Sequence, residues 1–418
     1  MNERNIIGVE DKVPLSLLIP LSIQHMFAMF GASVLVPFIF GINPAVVLFM
    51  NGIGTLLFIL ITKGKAPAYL GSSFAFLAPG LLVINQFGYE YLLGGFIVVG
   101  FVGCLISFII YKFGSRWIDI VLPPAAMGPV VALIGLELAS TAADTAGLLP
   151  ADGSIVDPKN AIVFVVTLGV AVFGSVLFKG FLSVIPILIA IICGYVAALV
   201  VGIVDFSAVS QASLFALPNF STPKFDISAI LIVLPVVLVI VSEHIGHQIV
   251  TGKIIDRDLL KDPGLHRSLF ADNFSTMLSG FIGSVPTTTY GENIGVMAVT
   301  RVYSVRVIAG AAILSIACSF IGKLSALINT IPGPVIGGIS FLLYGMIGAS
   351  GIRILVDSKV DLGQSKNLAL TSVIFVTGLS GISLNIGNVQ LKGMVLACIL
   401  GMLLSLIFYL FDRKGITK

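Results

Sequence analysis

Charged side chains are scarce in this sequence, and their scarcity decides the class of protein. Only 10% of the 418 residues are Asp, Glu, Lys or Arg, whereas soluble domains carry about 25%. Hydrophobic residues make up 57% of the chain, and the mean hydropathy is +1.10. These values exclude an ordinary soluble domain and predict an integral membrane protein.

Cysteine is also rare, and its placement excludes a metal site or a disulfide framework built from cysteines. The four cysteines lie in apolar stretches and are interpreted as small core residues: Cys104, Cys193, Cys318 and Cys398. The net charge of +3 comes from basic residues scattered among short loops, so it does not indicate nucleic-acid binding. The N-terminal MNERNIIGVEDKVP is too charged for a cleaved signal peptide, so the first span is expected to stay in the protein.

Long apolar segments are what the sequence has in abundance. Fourteen of them approach the length of a membrane-spanning helix: 15–39, 44–62, 69–85, 91–111, 121–140, 160–178, 181–203, 227–250, 266–285, 288–300, 304–322, 325–350, 367–382 and 391–411. Segments 69–85 and 288–300 are short and interrupted by Gly, Ser, Thr or Pro. With both termini in the cytoplasm, 19 of the 23 Lys and Arg residues fall on the inner side, as the positive-inside rule predicts.

The order of motifs repeats once along the chain. LPPAAMGPVVALIGLELA (122–139) resembles IPGPVIGGISFLLYGMIG (331–348), and SIQHMFAMFG (22–31) corresponds to VSEHIGHQIV (241–250). The broken segments 69–79 and 288–300 correspond as well. Spans one, three and five therefore match spans eight, ten and twelve, and an odd number of spans per repeat requires the second copy to be inverted. Inverted repeats with paired broken segments predict a secondary transporter that binds its substrate near the midplane.

Two titratable side chains share one face of the otherwise apolar eighth span. Glu243 and His247 are four residues apart, so both point to the same side of a helix. Such groups within a membrane span favour a function, and the pair is predicted to relay a proton. The alternatives are a polar cluster that only fixes helix packing, or a metal site, which would need a third ligand. His244 is expected to point elsewhere on the helix.

A second candidate carboxylate lies in TTTYGENIG (287–295). Gly291 and Gly295 free the backbone there, and a half-helix that begins at this point would direct its N–H groups at a ligand beside Glu292. GSSFAF (71–76) offers the same on the opposite side. Backbone donors combined with carboxylates suit a small, flat, neutral ligand such as a pyrimidine-2,4-dione. The aromatic residues predicted to flank its ring are Phe74, Tyr290 and Tyr344.

Two further acids lie within the spans. Asp272 is predicted to orient the backbone of the binding site or to carry a cation, with a capped or interface-facing residue as the alternative. Glu137 is interpreted as an interfacial or helix-end residue. An enzyme is disfavoured, because no nucleophile–base pair lies outside the transport segments and no soluble domain offers a place for a cofactor. No cofactor and no metal are expected.

ENIGVMAVTR (292–301) resembles the signature of the nucleobase/ascorbate transporter family, which is an acid or Gln, then Asn, any residue, Gly, four residues, Thr and Arg. Five further stretches are similar to the bacterial uracil-transporting members of that family: SIQHMFAMFGASVLVP (22–37), KGKAPAYLGSSFAF (63–76), SEHIGH (242–247), DPGLHRSLFA (262–271) and YGENIGVMAVTRVYS (290–304). The resemblance extends from Val13 to the last span.

This resemblance implies an all-α polytopic membrane protein of 14 transmembrane segments, arranged as two intertwined inverted repeats of seven spans. Spans one to four and eight to eleven would form a core domain (1–120 and 227–323). Spans five to seven and twelve to fourteen would form a gate domain (121–226 and 324–418). Spans three and ten would each contain a short extended strand followed by a half-helix.

The resemblance also implies a proton-coupled uracil symporter of the bacterial cytoplasmic membrane, with uracil, protons, the lipid bilayer and a second copy of the chain as its partners. An elevator-like shift of the core against the gate is the predicted mechanism. Substrate binding would fall to Glu243, Glu292, Phe74, Gly291, Tyr290, Tyr344 and His247. Proton coupling would fall to Glu243, His247 and Glu292, and Asp272, Asn293 and Ser73 would support the site.

Two alternatives stay open at this point. The first is the same fold moving another nucleobase, such as xanthine or thymine. Purine-transporting members usually carry Gln where Glu292 stands, which favours a pyrimidine, whereas an acid at Asp272 is similar to the purine transporters. The second is an anion exchanger or channel of similar architecture. That alternative would need a basic residue between the half-helices, where this sequence has carboxylates.

Overall fold

The computed structural model describes residues 6–150, 155–180, 182–387 and 389–415. These residues fold mainly into helices. The helices are α1 (Leu15–Ala28), α2 (Phe30–Phe40), α3 (Pro44–Ile61), α4 (Leu77–Gln86), α5 (Tyr89–Phe113), α6 (Arg116–Val121), α7 (Pro124–Leu136), α8 (Ala139–Thr145), α9 (Pro158–Leu177), α10 (Pro186–Val201), α11 (Ser207–Gln211), α12 (Ile227–Val233), α13 (Val236–Ile255), α14 (Leu265–Ile282), α15 (Gly291–Thr300), α16 (Val305–Ser319), α17 (Gly322–Asn329), α18 (Gly333–Asp357), α19 (Ser365–Leu379) and α20 (Gly393–Arg413). The strands are β1 (Leu70–Ser72), β2 (Thr287–Thr289), β3 (Ser383–Ile386) and β4 (Val389–Lys392).

Each of the fourteen predicted segments contains a helix. Within the described residues, eight helical stretches are long and apolar enough to cross a membrane: Leu15–Phe40, Pro44–Ile61, Tyr89–Phe113, Pro124–Thr145, Pro158–Leu177, Ile227–Ile255, Gly333–Asp357 and Gly393–Arg413. The other six segments hold shorter or more polar helices. The third and tenth are the broken ones, in which a buried strand precedes a helix of about half the length that a bilayer requires. The prediction of a helical polytopic membrane protein with strands in these two segments is confirmed.

Some predicted boundaries are wrong. The sequence predicts the twelfth span at 325–350, but the chain forms α17, breaks at Thr330–Pro332 and then runs as α18 to Asp357. Pro332 lacks an N–H and Pro334 lies in the first turn of α18, so a new helix begins there instead of continuing the old one. The hairpin of β3 and β4 was not predicted, although the Gly387-Asn388 pair in SLNIGNVQLK (383–392) is a hairpin signal.

The two central strands cross in the middle of the protein. β1 pairs with β2 in antiparallel register, with Gly71 opposite Thr288. Hydroxyl side chains of neighbouring helices satisfy the outer edges: the Leu70 N–H donates to Thr55 Oγ1 at 2.9 Å, and Thr276 Oγ1 donates to Thr287 O at 2.8 Å. These contacts make strands of three residues possible at the depth of a membrane, where every backbone group needs a partner.

Helix packing follows the symmetry expected of inverted repeats. In the first helix group, which comprises α1–α5 and α12–α16, α5 packs against α14 and α3 packs against α16. In the second helix group, which comprises α7–α10 and α18–α20, α7 packs against α18, α9 against α10 and α19 against α20. Each of these pairs either maps onto another pair or onto itself when the two halves of the chain are exchanged.

Residues 6–12, called the N-terminal strap, lie across the chain that follows α15. The Ile7 N–H donates to Arg301 O at 3.1 Å, and the Tyr303 N–H donates to Ile7 O at 2.9 Å. The Val305 N–H donates to Val9 O at 3.0 Å. These backbone bonds hold the strap against the segment that joins α15 to α16.

Val9 anchors the strap in an apolar cluster of its own. The other buried members of that cluster are Phe58, Ala66, Ala68, Leu70, Ile255, Leu259 and Ala271. Arg257 donates to both carboxylate oxygens of Glu10, at 2.5 and 2.7 Å, and this contact lowers the pKa of Glu10. The ion pair is therefore present at pH values above that lowered pKa, and it is lost as the pH falls through it. An exposed pair contributes about 0–1 kcal/mol, so Val9 is the stronger anchor.

We expect Val9→Asp to lower the thermal denaturation temperature of the detergent-purified protein by at least about 4 °C. Burying a valine is worth roughly 1.5–3 kcal/mol, and a carboxyl group in its place also costs desolvation. The matched control is Ile6→Asp, because Ile6 lies in the same strap and is 61% exposed, whereas Val9 is 2% exposed. Equal denaturation temperatures for the two variants would show that the strap is not anchored by Val9.

Candidate functional site

The candidate site lies where the two central strands lead into half-helices. β1 is followed by a helical turn at Phe74–Phe76 and then by α4, and β2 is followed by Tyr290 and α15. The N-cap residues of the two half-helices, Ser73 and Tyr290, make no side-chain capping hydrogen bond within the part of the chain that the structure describes. Because the strands are antiparallel, the two uncapped ends meet at the crossing and offer backbone donors from both sides.

Three aromatic side chains form one wall of the crossing. The rings of Phe74 and Tyr290 are stacked, with centroids 6.2 Å apart and planes inclined by 22°. Tyr344 meets Phe74 edge-on at 6.3 Å. Tyr290 donates its hydroxyl proton to Ser72 O at 2.5 Å, and its ring covers Gly71, where a Cβ would collide with it. Gly71 is therefore required for the close approach of the ring to β1.

Two carboxylates face this wall. Glu243 lies in the middle of α13 and Glu292 in the first turn of α15, and both are partly buried. The helices that carry them, α13 and α15, are in contact. Glu243 Oε2 is buried without a hydrogen-bond partner in the described part of the chain. A buried carboxylate oxygen without a partner is costly, so it indicates a place for an incoming donor.

Buried polar atoms without partners recur around these residues. Ser73 Oγ and Tyr344 Oη are buried and make no hydrogen bond to any described residue. Gly291, at the start of α15, is exposed, and a Cβ built on it would lie 3.6 Å from His247 Nε2. The site thus combines unused hydroxyl and carboxylate groups with an accessible backbone at the start of a half-helix.

Thr289 joins two histidines and an aspartate beneath the carboxylates. Its Oγ1 lies 3.1 Å from His247 Nδ1 and 3.3 Å from His244 Nδ1, and its N–H donates to Asp272 Oδ1 at 3.1 Å. His244 Nδ1 and Asp272 Oδ1 are 3.7 Å apart, and both side chains are fully buried. Asp272 therefore supports the backbone of β2, which matches the first of the alternatives that the sequence left open and excludes an interface-facing side chain.

Asn293 extends the network to the first span. Its Nδ2 lies 2.7 Å from His25 Nδ1, and its Oδ1 accepts the Tyr69 N–H at 3.4 Å. Both His25 and Asn293 are buried. The side chain of Asn293 thereby ties α15 to α1 and to the residue before β1.

The structure brings the predicted residues together around the strand crossing. His247 is bonded to Thr289, and within the described residues no hydrogen bond joins it to Glu243. Sequence reasoning missed Thr289, His244 and His25 as parts of the network. The repeat correspondence of 22–31 with 241–250 aligns His25 with His244 and is the signal that could have found it. Whether these residues bind substrate stays a prediction.

Relatives in sequence cover almost the whole chain. A family model described as "Permease family" matches residues 16–387. The chain is 59% identical to the "Uracil permease" of Escherichia coli (strain K12) over 409 residues, which cover 98% of this chain and 95% of that protein. It is 54% identical over 411 residues to the "Uracil permease" of Paenibacillus larvae subsp. larvae, covering 98% of both chains, and 47% identical over 411 residues to that of Bacillus subtilis (strain 168), covering 96% and 94%.

Solved structures of other transporters share the fold. The transmembrane domain of a cyanobacterium bicarbonate transporter, BicA, has a TM-score of 0.65 at 12% identity and covers 96% of this chain and 99% of its own. The murine Solute Carrier 26 family member A9 anion transporter in the inward-facing state has a TM-score of 0.73 at 8% identity, covering 96% and 69%. These likenesses confirm the inverted-repeat fold and carry no information on the substrate. The sequence signature, the family match and the full-length relatives together establish that this chain belongs to the nucleobase/ascorbate transporter family.

Proposed function

We propose that this protein is a permease that imports uracil together with protons across the bacterial cytoplasmic membrane. The observation that carries the proposal is the 59% identity over 409 residues to a protein named uracil permease. The geometry of the strand crossing supports it, because aromatic, carboxylate and backbone groups converge there. Since function resides in the site and the fold alone does not determine it, the likeness to anion transporters does not weigh against the proposal.

The site suits a flat ring with alternating donors and acceptors. The N–H groups of uracil would donate to Glu243 and Glu292, and its carbonyl oxygens would accept from the backbone N–H groups of Phe74 and Gly291. The ring would lie against Phe74 and Tyr290, with Tyr344 at its edge. Uracil would thereby pair the Glu243 Oε2 atom, which finds no partner within the described residues.

Proton coupling is assigned to Glu243 and His247, with Glu292 as the third titratable group. Protonation of Glu243 would remove one of the two negative charges that the neighbouring helices α13 and α15 bring to the site, which would favour the loaded site. His247 lies next to Gly291 and is bonded to Thr289, so it can exchange a proton with the ligand side of the site through water. Asp272 and Asn293 would hold the surrounding backbone through their bonds to the N–H groups of Thr289 and Tyr69, and Ser73 would offer its unused hydroxyl beside the site.

Transport is proposed to occur by an elevator-like shift. The core domain (1–120 and 227–323), which contains both half-helices, would move as one body against the gate domain (121–226 and 324–418). The contact-defined helix groups fit this division, since the strongest packing lies within each group. Both termini would lie in the cytoplasm, where 19 of the 23 Lys and Arg residues then fall. The working unit is proposed to be a homodimer.

Another nucleobase is the second candidate. Asp272 is fully buried beside Thr289 and His244, and an acid at this position resembles the purine transporters. Xanthine is therefore the competitor that matters most in a test of the substrate.

We expect labelled uracil to accumulate in proteoliposomes when the outside is acidic and sodium is absent. Accumulation should stop when a protonophore dissipates the gradient, because uracil would enter together with a proton. A 100-fold excess of unlabelled xanthine should leave it unchanged. Liposomes without protein provide the background. Inhibition by xanthine would favour a purine permease, and uptake that requires sodium would overturn proton coupling.

A further inference from the structure

The hairpin β3–β4 lies on the face opposite the N-terminal strap. β4 packs against α12, whereas the strap contacts the far end of the following helix α13 through Val9 and Ile255. β4 and the start of α20 belong to the second helix group, but they share a small cavity with the first. Its lining includes Ala78, Pro79, Leu82 and Ile232 of the first group and Gln390 and Lys392 of the second. The cavity is only about 10 Å³, so the two groups are nearly in contact there.

Glu137 holds the start of α20 in place at this junction. It follows the last residue of α7 and lines the same cavity, and its Oε2 accepts the Met394 N–H at 2.9 Å. The N-cap residue of α20, Lys392, makes no capping hydrogen bond with its own side chain. Glu137 therefore caps α20 from another helix and places a negative charge at its positive end. Gly393 has a φ of +56°, and a Cβ there would overlap the Glu137 carboxylate.

The second repeat shows that the fold does not require this carboxylate. The correspondence of 122–139 with 331–348 places Met346 opposite Glu137, and Met346 is 47% exposed. The helix that corresponds to α20 is α10, which begins at Pro186, and its N-cap residue Ile185 makes no side-chain capping hydrogen bond to the described part of the chain. Among the described residues, α20 therefore has a carboxylate cap from another helix, and the corresponding helix α10 does not.

We propose that Glu137 is a positioning residue for transport, because it holds β4 and the start of α20 in a fixed position. α4 and α12 pack against this fixed stop when this face of the protein is closed. The proposal rests on the proposed movement of the two helix groups. It implies that this face opens when the first group moves away from the hairpin, while the hairpin stays with the second group. The side chain acts on the rate of that movement and does not touch the substrate.

The first test compares Glu137→Ala with Glu137→Gln. The alanine variant loses the cap and is expected to lower the kcat of uracil uptake about tenfold, the effect of losing one charge-assisted hydrogen bond. Its equilibrium affinity for uracil should change less than about twofold, since the site lies elsewhere. The glutamine variant still accepts the Met394 N–H and should retain at least about half of the uptake. Equal uptake by the alanine variant and the unmodified chain would overturn the role of Glu137.

The second test is a reversible cross-link in a chain whose four native cysteines are replaced. A Leu82→Cys/Gln390→Cys pair joins the two helix groups across the cavity, and a cleavable reagent should stop uptake until it is cleaved. The matched control is Leu384→Cys/Leu391→Cys, which joins register partners within the hairpin and should leave uptake unchanged. Transport at the control rate by the Leu82–Gln390 cross-linked protein would overturn the fixed stop. Uracil binding by the uncross-linked chain is measured alongside, and its absence would overturn the substrate proposal and this one with it.

Discussion

Glu243→Ala is expected to lower uracil affinity and uptake by about 5- to 100-fold. The substitution leaves a ring N–H of bound uracil without an acceptor in a buried site, and a buried donor without a partner costs about 1–3 kcal/mol. Because Glu243 Oε2 has no partner among the described residues, its removal should cost the fold little. Equilibrium binding to the purified protein and uptake into proteoliposomes measure the two effects.

The matched control for this variant is Glu90→Ala. Glu90 is a partly exposed carboxylate at the start of α5, paired with Lys224 far from the strand crossing. An exposed ion pair contributes about 0–1 kcal/mol, so binding and uptake should remain near those of the unmodified chain. Unchanged uptake in the Glu243 variant would show that the substrate does not bind between α13 and the half-helices.

Thr289→Val is expected to lower gradient-driven uptake at least about tenfold while changing uracil affinity less than about threefold. Valine has nearly the same shape but removes the hydroxyl that lies between His244 and His247. The two ring nitrogens would be left without this partner, at a cost of about 1–3 kcal/mol, and His247 would lose its fixed orientation. Uptake is measured with and without an imposed proton gradient, and affinity by equilibrium binding.

Thr289→Ser is the control that keeps the hydroxyl, and it should retain most of the gradient dependence. His247→Ala should reproduce the valine phenotype, with proton dependence weakened more than binding. If the valine variant lost binding and uptake in equal proportion, Thr289 would be acting on the shape of the substrate site and not on coupling.

Composition and hydropathy predict most of the helical spans, and the reason is physical. A bilayer offers no hydrogen bonds to the backbone, so spanning segments must be apolar and helical, or broken only where protein surrounds them. The fourteen segments could therefore be found one at a time, and β1 and β2 could be placed in the two interrupted by small and polar residues. Misplaced ends, as in α18, arose where proline restarted a helix inside a continuous apolar run.

The residues of the candidate site could be predicted only where a short stretch of sequence contains an unusual side chain, such as a carboxylate within a span. Glu243 and Glu292 are evident in the sequence, because a carboxylate within a span is expensive unless it is used. Their neighbours are not evident, since Thr289 looks like any other threonine of a polar strand until α13 and α14 pack beside it. The contact between His25 and Asn293 joins residues 268 positions apart in the chain.

By itself, the sequence determined that this is a membrane protein of two inverted repeats, that it carries the signature of a nucleobase transporter, and which acids and aromatics lie at its centre. Only the tertiary structure decided that His247 bonds to Thr289, that Asp272 supports β2, and that Glu137 caps a helix 257 residues away. The preference of a side chain for lipid or water depends on its residue type alone, so it can be read from the sequence. A hydrogen bond exists only when packing brings its donor and acceptor within about 3 Å.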